Sequence, residues 1–521
     1  MGTSTMDNSA QKIYESIPSG SGLPARGIAH RIGFRLRNDQ RHPVVRTLLA
    51  LGGDSSVYLF GAALIGAGNF VLVPLYTRYL SPANFGVYTL VDLALFIAVT
   101  VSTLRLDVAY LKWFGGTQNE KPCELLGSVL TCSAICGLSL GLILAASLGS
   151  AAAERWLRAP DYRFVWLLIP LVLLENVQVI LLANLRAYRR ALSYSLCAAF
   201  RLLLIILASL HFVVAARQGV TGIFLGRLVG DAGSMIVLLV LSAPSLRPRL
   251  QLPMLKKMLF FSLPLIWTGF AAVLMDAEGR YFLTRYRSME EVGVYGAGVK
   301  IGSVFQVLVT QPFGMAWGGM VFQIANGENA RSIYSRILAY VFFGSLVAAL
   351  LLSTLAPEFL RLFATKAYAP ALGILPLIFL VRAIAVLEYP ASTGIYLSGH
   401  TSWFAGIYSA GLAITFVFCW LLVPRWGMYG VVWSWGAGWA AIAALMFLIG
   451  QKYYALRLDV KFFAVPVLCW AVLLAGQHGA IGALAQFSRP TKIVLCLGIV
   501  LYGLTMYLRD LRSIGKEAPG E

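Results

Sequence analysis

From about residue 57 onward, long apolar runs alternate with short polar gaps. A helix needs roughly 20 mostly apolar residues to cross a bilayer. Runs of that length predict fourteen spans, at 57–77, 87–113, 123–149, 163–185, 192–214, 220–242, 258–284, 292–324, 332–356, 371–397, 402–423, 427–450, 460–478 and 491–508. Several gaps are very short, as hairpins in a helical bundle require. The pattern predicts an all-α polytopic membrane protein.

A repeat organises these spans. Residues 77–88 read TRYLSPANFGVY and residues 284–295 read TRYRSMEEVGVY, with seven of twelve positions identical at an offset of 207. Gly219-Val-Thr-Gly222 opens the sixth span and Gly427-Met-Tyr-Gly430 the twelfth, at an offset of 208. Two landmarks far apart that keep one offset imply duplication of a whole unit. Each unit holds six spans, an even number, so the copies lie parallel about a pseudo-twofold axis along the membrane normal. The expected domains are a basic cytoplasmic N-terminal extension (1–56), a first six-helix lobe (57–242), a cytoplasmic linker (243–257), a second lobe (258–450), and a closing helix pair with a cytoplasmic tail (451–521). Within the extension, Ile28, Ile32 and Leu36 among six arginines form a basic amphipathic stretch, read either as lying on an anionic leaflet or as a solvated disordered tail.

Composition agrees with this picture. Of 521 residues, 59% are hydrophobic and 12% charged. Soluble domains carry about a quarter charged residues. The net charge of +19 sits mostly in the gaps. With the N-terminus inside, Lys and Arg favour the inner gaps by roughly two to one, which places both termini in the cytoplasm. No nucleic-acid module is visible, and nucleic acid is not an expected partner. The seven cysteines lie in or beside apolar runs without a C-x-x-C pair, and the histidines are scattered. No metal site or cofactor is expected.

Pro74–Tyr88, PLYTRYLSPANFGVY, resembles the first hairpin of the polysaccharide flippases of the MOP/MATE superfamily, which move O-antigen, exopolysaccharide and related lipid-linked oligosaccharides. Leu104–Ala109, LRLDVA, is similar to a motif of a polysaccharide-transport branch. Asn84 departs from the acidic residue common there, and the N-terminal extension is long. The resemblance covers about residues 50–510. It implies two lobes that open alternately to each side of a bacterial inner membrane. It also implies an undecaprenyl-pyrophosphate-linked oligosaccharide as cargo, moved to the periplasmic leaflet for surface polysaccharide synthesis. Membrane lipids, a polysaccharide polymerase and glycosyltransferases are the implied partners.

Such a cargo needs fixed cations for its pyrophosphate, and intramembrane ionisable groups usually face a cavity or one another. The intraspan cations are Arg105, Arg201, Arg227, Arg280, Lys300 and Arg382; the acids are Asp92, Asp107, Glu175, Asp231, Asp276, Glu278 and Glu388. Lys300 has no acid three or four residues away and is the first candidate for the pyrophosphate. Arg105 is the second; its position in the other lobe is Pro312. Arg280, Arg201 and Arg382 complete the cargo candidates, although Asp276 and Arg280 are spaced to pair along one helix. Arg227 and Asp231 have the same spacing and read as a structural pair. Asp92, Asp107, Glu175 and Asp276 are the candidates for ion coupling.

No G-x-x-x-x-G-K-[ST] occurs, which argues against ATP hydrolysis by this chain. Transport is then driven by an ion gradient, by membrane potential or by removal of product. The competing expectations are a lipid II flippase, an ion-coupled multidrug exporter on the same architecture, and a membrane polymerase or ligase. The last usually carries its catalytic residues on a long outer loop, and the outer gaps here are short. The chain is expected not to be an enzyme.

Overall fold

A computed structural model describes residues 72–116, 122–149, 163–188, 190–246, 251–325 and 330–456, with the single positions 498 and 505. These residues are helical apart from short connections. Ten helices are long and apolar enough to cross a membrane; a bent pair makes an eleventh. They correspond to the second through twelfth expected spans. Most of the first expected span, the last two and the basic N-terminal stretch lie outside the described residues.

The first lobe begins with helix α1 (72–79), followed by α2 (Pro82–Ser102), α3 (Leu106–Gly116), α4 (Pro122–Leu148), α5 (Leu168–Ala187), α6 (Ala191–Ser209) and α7 (Gly219–Ser242). The second holds α8 (Leu252–Tyr286), α9 (Met289–Phe305), α10 (Gln311–Ile324), α11 (Ala330–Thr354), the short α12 (Ala356–Phe363), α13 (Ala371–Ala385), the short α14 (Glu388–Ala391) and α15 (Thr393–Ser398), α16 (Trp403–Trp426) and α17 (Met428–Tyr453). The outer faces are apolar. Leu192, Leu196, Phe200, Leu203, Leu207 and Leu210 make an exposed stripe along α6 and the turn after it, as a lipid-facing helix requires. Inside the first lobe, polar side chains join helices: Asn176 donates to Ser102 at 2.7 Å and accepts from Ser133, and Tyr110 donates to Asn184. Such bonds contribute on the order of 1 kcal/mol each in a bilayer.

The repeated residues do the same structural work twice. Ser81 and Ser288 both cap a helix, each accepting the amide of the residue three positions on at 3.3 Å. Gly219 and Gly427 both take positive φ, +56° and +54°, at the entry to α7 and α17. The copies also meet each other. A methyl group on Gly86 would lie 3.1 Å from the Gly293 amide nitrogen, and one on Gly293 would lie 3.0 Å from that of Gly86. One turn further, Gly296 faces its repeat mate Thr89. The reciprocal contact places the pseudo-twofold axis between α2 and α9, where only glycine lets the backbones approach so closely.

Further contacts join the lobes at both ends of this crossing. Near the helix-capping turns, Thr77 donates to the Phe363 carbonyl at 2.8 Å and Tyr368 to that of Leu80 at 3.1 Å. At the opposite end, Met254, Leu255 and Met258 of α8 pack with Leu106, Ala109 and Tyr110 of α3, and Lys112 lies 3.6 Å over the Phe261 ring. Helix α8 bends by 52° between 262 and 266, and its first part, Leu252–Ser262, packs on the first lobe.

Two expected spans are interrupted. The second does not run unbroken over 87–113: Leu104 and Arg105 take φ of +50° and +52° and separate α2 from α3. Asp92 and Asp107, both within the expected span, therefore lie on different helices. The eighth has a π-helical stretch, 306–310, before α10. It absorbs the missing amide of Pro312. At the repeat offset, Arg105 and Pro312 coincide, so the two lobes depart from regular helix in the same region by different means, a break in the first and a π-helical stretch in the second.

Candidate functional site

Lipid offers no solvation to a charge, so the intramembrane ions must be satisfied within the protein. In the first lobe they form one continuous chain. Arg201 of α6 pairs with Asp231 of α7 at 2.5 Å and with Glu175 of α5 at 3.2 Å. The same Glu175 oxygen accepts from Arg227 of α7 at 2.5 Å. Arg227 then reaches Asp92 of α2, also at 2.5 Å. The other oxygen of Asp92 accepts from Lys300 of α9 at 2.9 Å. Lys300 also donates to the Tyr88 hydroxyl at 3.0 Å. Three cations thus meet three carboxylates, and the last link crosses from the second lobe to the first. Asp92 lies ten residues into α2, about 15 Å along it and midway between its ends.

Asp231 is fully buried, whereas Asp92 keeps 22% of its side chain exposed and Arg201 27%. The chain is therefore partly open along its length, with Asp231 its one fully buried member. Burial of ion pairs is costly, and removing one partner costs more than the pair contributes. Glu175 shares one oxygen between two cations and Asp92 gives each oxygen to a different one, while the second oxygen of Asp231 is buried without a partner among the described residues.

The second lobe has a different cluster. Arg280 of α8, 6% exposed, donates to the Thr89 carbonyl of the first lobe at 2.7 Å and pairs with Asp276 one turn back at 3.2 Å. Arg382 of α13 sits with its guanidinium carbon 4.6 Å over the ring of Trp435 of α17. Its charged neighbours are Asp276 and Arg280. Nearby, the Tyr408 hydroxyl donates to Glu388 at 2.7 Å.

The structure thus gathers Asp92, Glu175, Arg201 and Lys300 into one chain, and Asp276, Arg280 and Arg382 into a second cluster. Lys300, without a partner on its own helix, finds one across the lobes. Arg227 and Asp231, one turn apart, bond to residues of other helices, which corrects the reading of them as a self-contained pair. Arg105 and Asp107 lie apart, at the α2–α3 break. Asp107 approaches Arg186 at 3.8 Å. The Arg105 guanidinium lies against Gly269 of α8, 3.0 Å from where a β-carbon there would sit, and has no hydrogen-bond partner among the described residues. Sequence reasoning missed Tyr88, the Thr89 carbonyl and Trp435 as members of these groups. The duplicated Tyr88/Tyr295 was the available signal for the first; nothing local marked the others.

The sequence matches the profile of the family described as polysaccharide biosynthesis protein over residues 53–324, just over half of the chain. No curated protein matches it by sequence. Among solved structures it is similar to the lipid II flippase MurJ in an inward closed conformation, with a TM-score of 0.69 and 13% identity over 88% of this chain and 99% of that one. It is also similar to an inward-facing multidrug resistance MATE family transporter of the MOP superfamily, with a TM-score of 0.57 and 16% identity over 76% and 94% of the two chains. The bent form of the Vibrio cholerae MATE transporter VcmN gives a TM-score of 0.58 and 14% identity over 79% and 98%. At these identities the likeness is one of fold.

Proposed function

The chain belongs to the polysaccharide biosynthesis protein family, and from that premise we propose that it translocates a lipid-linked oligosaccharide with an anionic pyrophosphate across the inner membrane by alternating access. The observation that carries this reading is the set of charged groups inside the spans, which reaches across the two lobes through Lys300–Asp92 and Arg280–Thr89. Asp92, Glu175, Asp231 and Asp276 each hold a cation already. A pathway for cationic drugs would need free carboxylates where the lobes meet, and Asp92 there is bonded to two cations. The cations here offer donors to an anion, and the Lys300–Asp92 bond is one that must break when the lobes part. The fold shared with a lipid II flippase supports movement of a lipid-linked glycan in particular.

The test is cellular. Deleting the protein should cause undecaprenyl-linked repeat units to accumulate on the cytoplasmic leaflet while surface polysaccharide falls. Normal surface polysaccharide without accumulation rejects the reading. Glycan elongation by the purified protein would favour a polymerase instead.

A further inference from the structure

The two lobes differ in charge at equivalent positions. The repeat offset of 207 carries Glu175 onto Arg382, and the offset of 208 carries Arg227 onto Trp435. The structure agrees with this correspondence. Helices α5 and α7 pack together in the first lobe, as α13 and α17 do in the second. Glu175 bonds Arg227 across the first pair, and Arg382 stacks on Trp435 across the second. A neutral ion pair in one lobe has become a cation on an aromatic ring in the other.

That replacement leaves charge uncompensated. Arg201, Arg227 and Lys300 are matched by Asp92, Glu175 and Asp231. Around Arg382, two guanidinium groups face the single carboxylate of Asp276. A cation on a tryptophan face gains roughly 1–2 kcal/mol, but the ring accepts no N–H in its plane. The Nε of Arg382 and the Nε of Arg280 are both buried without an acceptor, and one oxygen of Asp276 is buried without a donor. Buried orphans need a partner; the first-lobe chain has one as well, the second oxygen of Asp231, but there it is an acceptor without neighbouring orphaned donors among the described residues. Two orphaned donors beside one orphaned acceptor match a ligand that is anionic and also carries hydroxyl groups. Asp276 keeps 24% of its side chain exposed at the middle of a helix, so the cluster opens on one side.

We propose that Arg382 and Arg280 form an anion-receiving subsite in the second lobe, which takes a phosphate or carboxylate group of the cargo, with Asp276 accepting from an adjacent hydroxyl. This rests on the translocation reading and assigns the anion to the lobe whose charge is unmatched rather than to Lys300. The group comes either from the lipid pyrophosphate or from an acidic sugar.

The experiment uses the purified full chain in nanodiscs. Undecaprenyl pyrophosphate and digalacturonate are titrated separately, with maltose as the neutral control, and binding is read from tryptophan fluorescence. Arg382→Gln should weaken binding of at least one anionic probe tenfold or more, equivalent to about 1.4 kcal/mol. Asp276→Asn, which removes the competing negative charge, should tighten the same probe severalfold. Sensitivity of undecaprenyl pyrophosphate identifies the lipid headgroup as the source; sensitivity of digalacturonate identifies the glycan. Wild-type affinity in both variants overturns the subsite, as does failure of both probes to bind the wild type. Should Arg382→Gln not fold, Asp276→Asn decides alone: unchanged or weaker binding counts against the subsite. Accumulation of lipid-linked repeat units on deletion is measured independently, so a translocating protein indifferent to Arg382 loses only this inference.

Discussion

Glu175 accepts from two guanidinium groups through one oxygen, on Arg201 and Arg227. Replacing it by Gln leaves both cations short of a counter-charge in an apolar surrounding. Breaking a buried pair in this way costs about 3–5 kcal/mol. Glu175→Gln should therefore lower the thermal unfolding temperature in detergent by several degrees, whatever its effect on export. Lys300 and Asp92 are a more informative pair because their bond spans the lobes. Lys300→Ala alone strands one oxygen of Asp92, whereas Lys300→Ala with Asp92→Ala removes both partners, although it also takes Asp92 from Arg227. A double-mutant cycle on folding should show a coupling of about 1–3 kcal/mol; additive effects would mean the bond contributes nothing. Arg105 differs from all of these. With no hydrogen-bonding partner among the described residues, Arg105→Ala should change stability by less than Glu175→Gln does, and an export defect there would report on cargo rather than on folding.

At the level of helices, the α2–α9 crossing sets the strictest requirement. A methyl group on Gly293 would overlap the Pro82 carbonyl, and one on Gly86 the Met289 carbonyl. Neither obstacle is a flexible side-chain end, so the helices would have to separate. Gly293→Ala should reduce folded protein in the membrane, and fluorescence size-exclusion of solubilised membranes would show it. Gly344→Ala on α11, where nothing lies within 4 Å, is the matched control and should behave as wild type. The caps repeat the lesson at lower energy: Ser81→Ala or Ser288→Ala removes one amide acceptor and should cost about 1 kcal/mol. The spans were legible beforehand because lipid demands apolar residues locally, whereas the caps and the close glycines showed only as repeated residues without a role. The α2–α3 break was not legible. Leu104 and Arg105 carry no Pro or Gly signal, and their positive φ values are imposed by surrounding helices.

For the whole molecule, cross-lobe bonds at both ends of the crossing oppose separation of the lobes. Thr365 of the second lobe donates to the Thr77 carbonyl of the first at 3.4 Å. Cysteines at these two positions, in a background with the seven native cysteines replaced, should join under oxidation. Surface polysaccharide should stop when they are joined and resume on reduction. Continued export by the cross-linked protein would mean that this end does not open. The repeat made the two-lobe plan legible, and an even number of spans per unit made it parallel. It did not reveal that Gly86 and Gly293 touch, since an offset relates positions without placing them together.

The sequence by itself determined the elements and their arrangement in two copies. A bilayer admits only continuous apolar helices, and duplication leaves a constant offset, so both are written along one dimension. It also determined which ionisable residues are intramembrane. Which of them pair was decided only by the tertiary structure. Side chains one turn apart on one helix have no preference for each other once other helices offer better-placed partners, as Arg227 and Asp231 show. Pairing depends on helix rotation and on distance across the bundle, and neither is a property of local sequence. That is also why the three cations of the Lys300 chain are balanced by acids from distant segments, while Arg382 is left with a tryptophan in the place of a counter-charge.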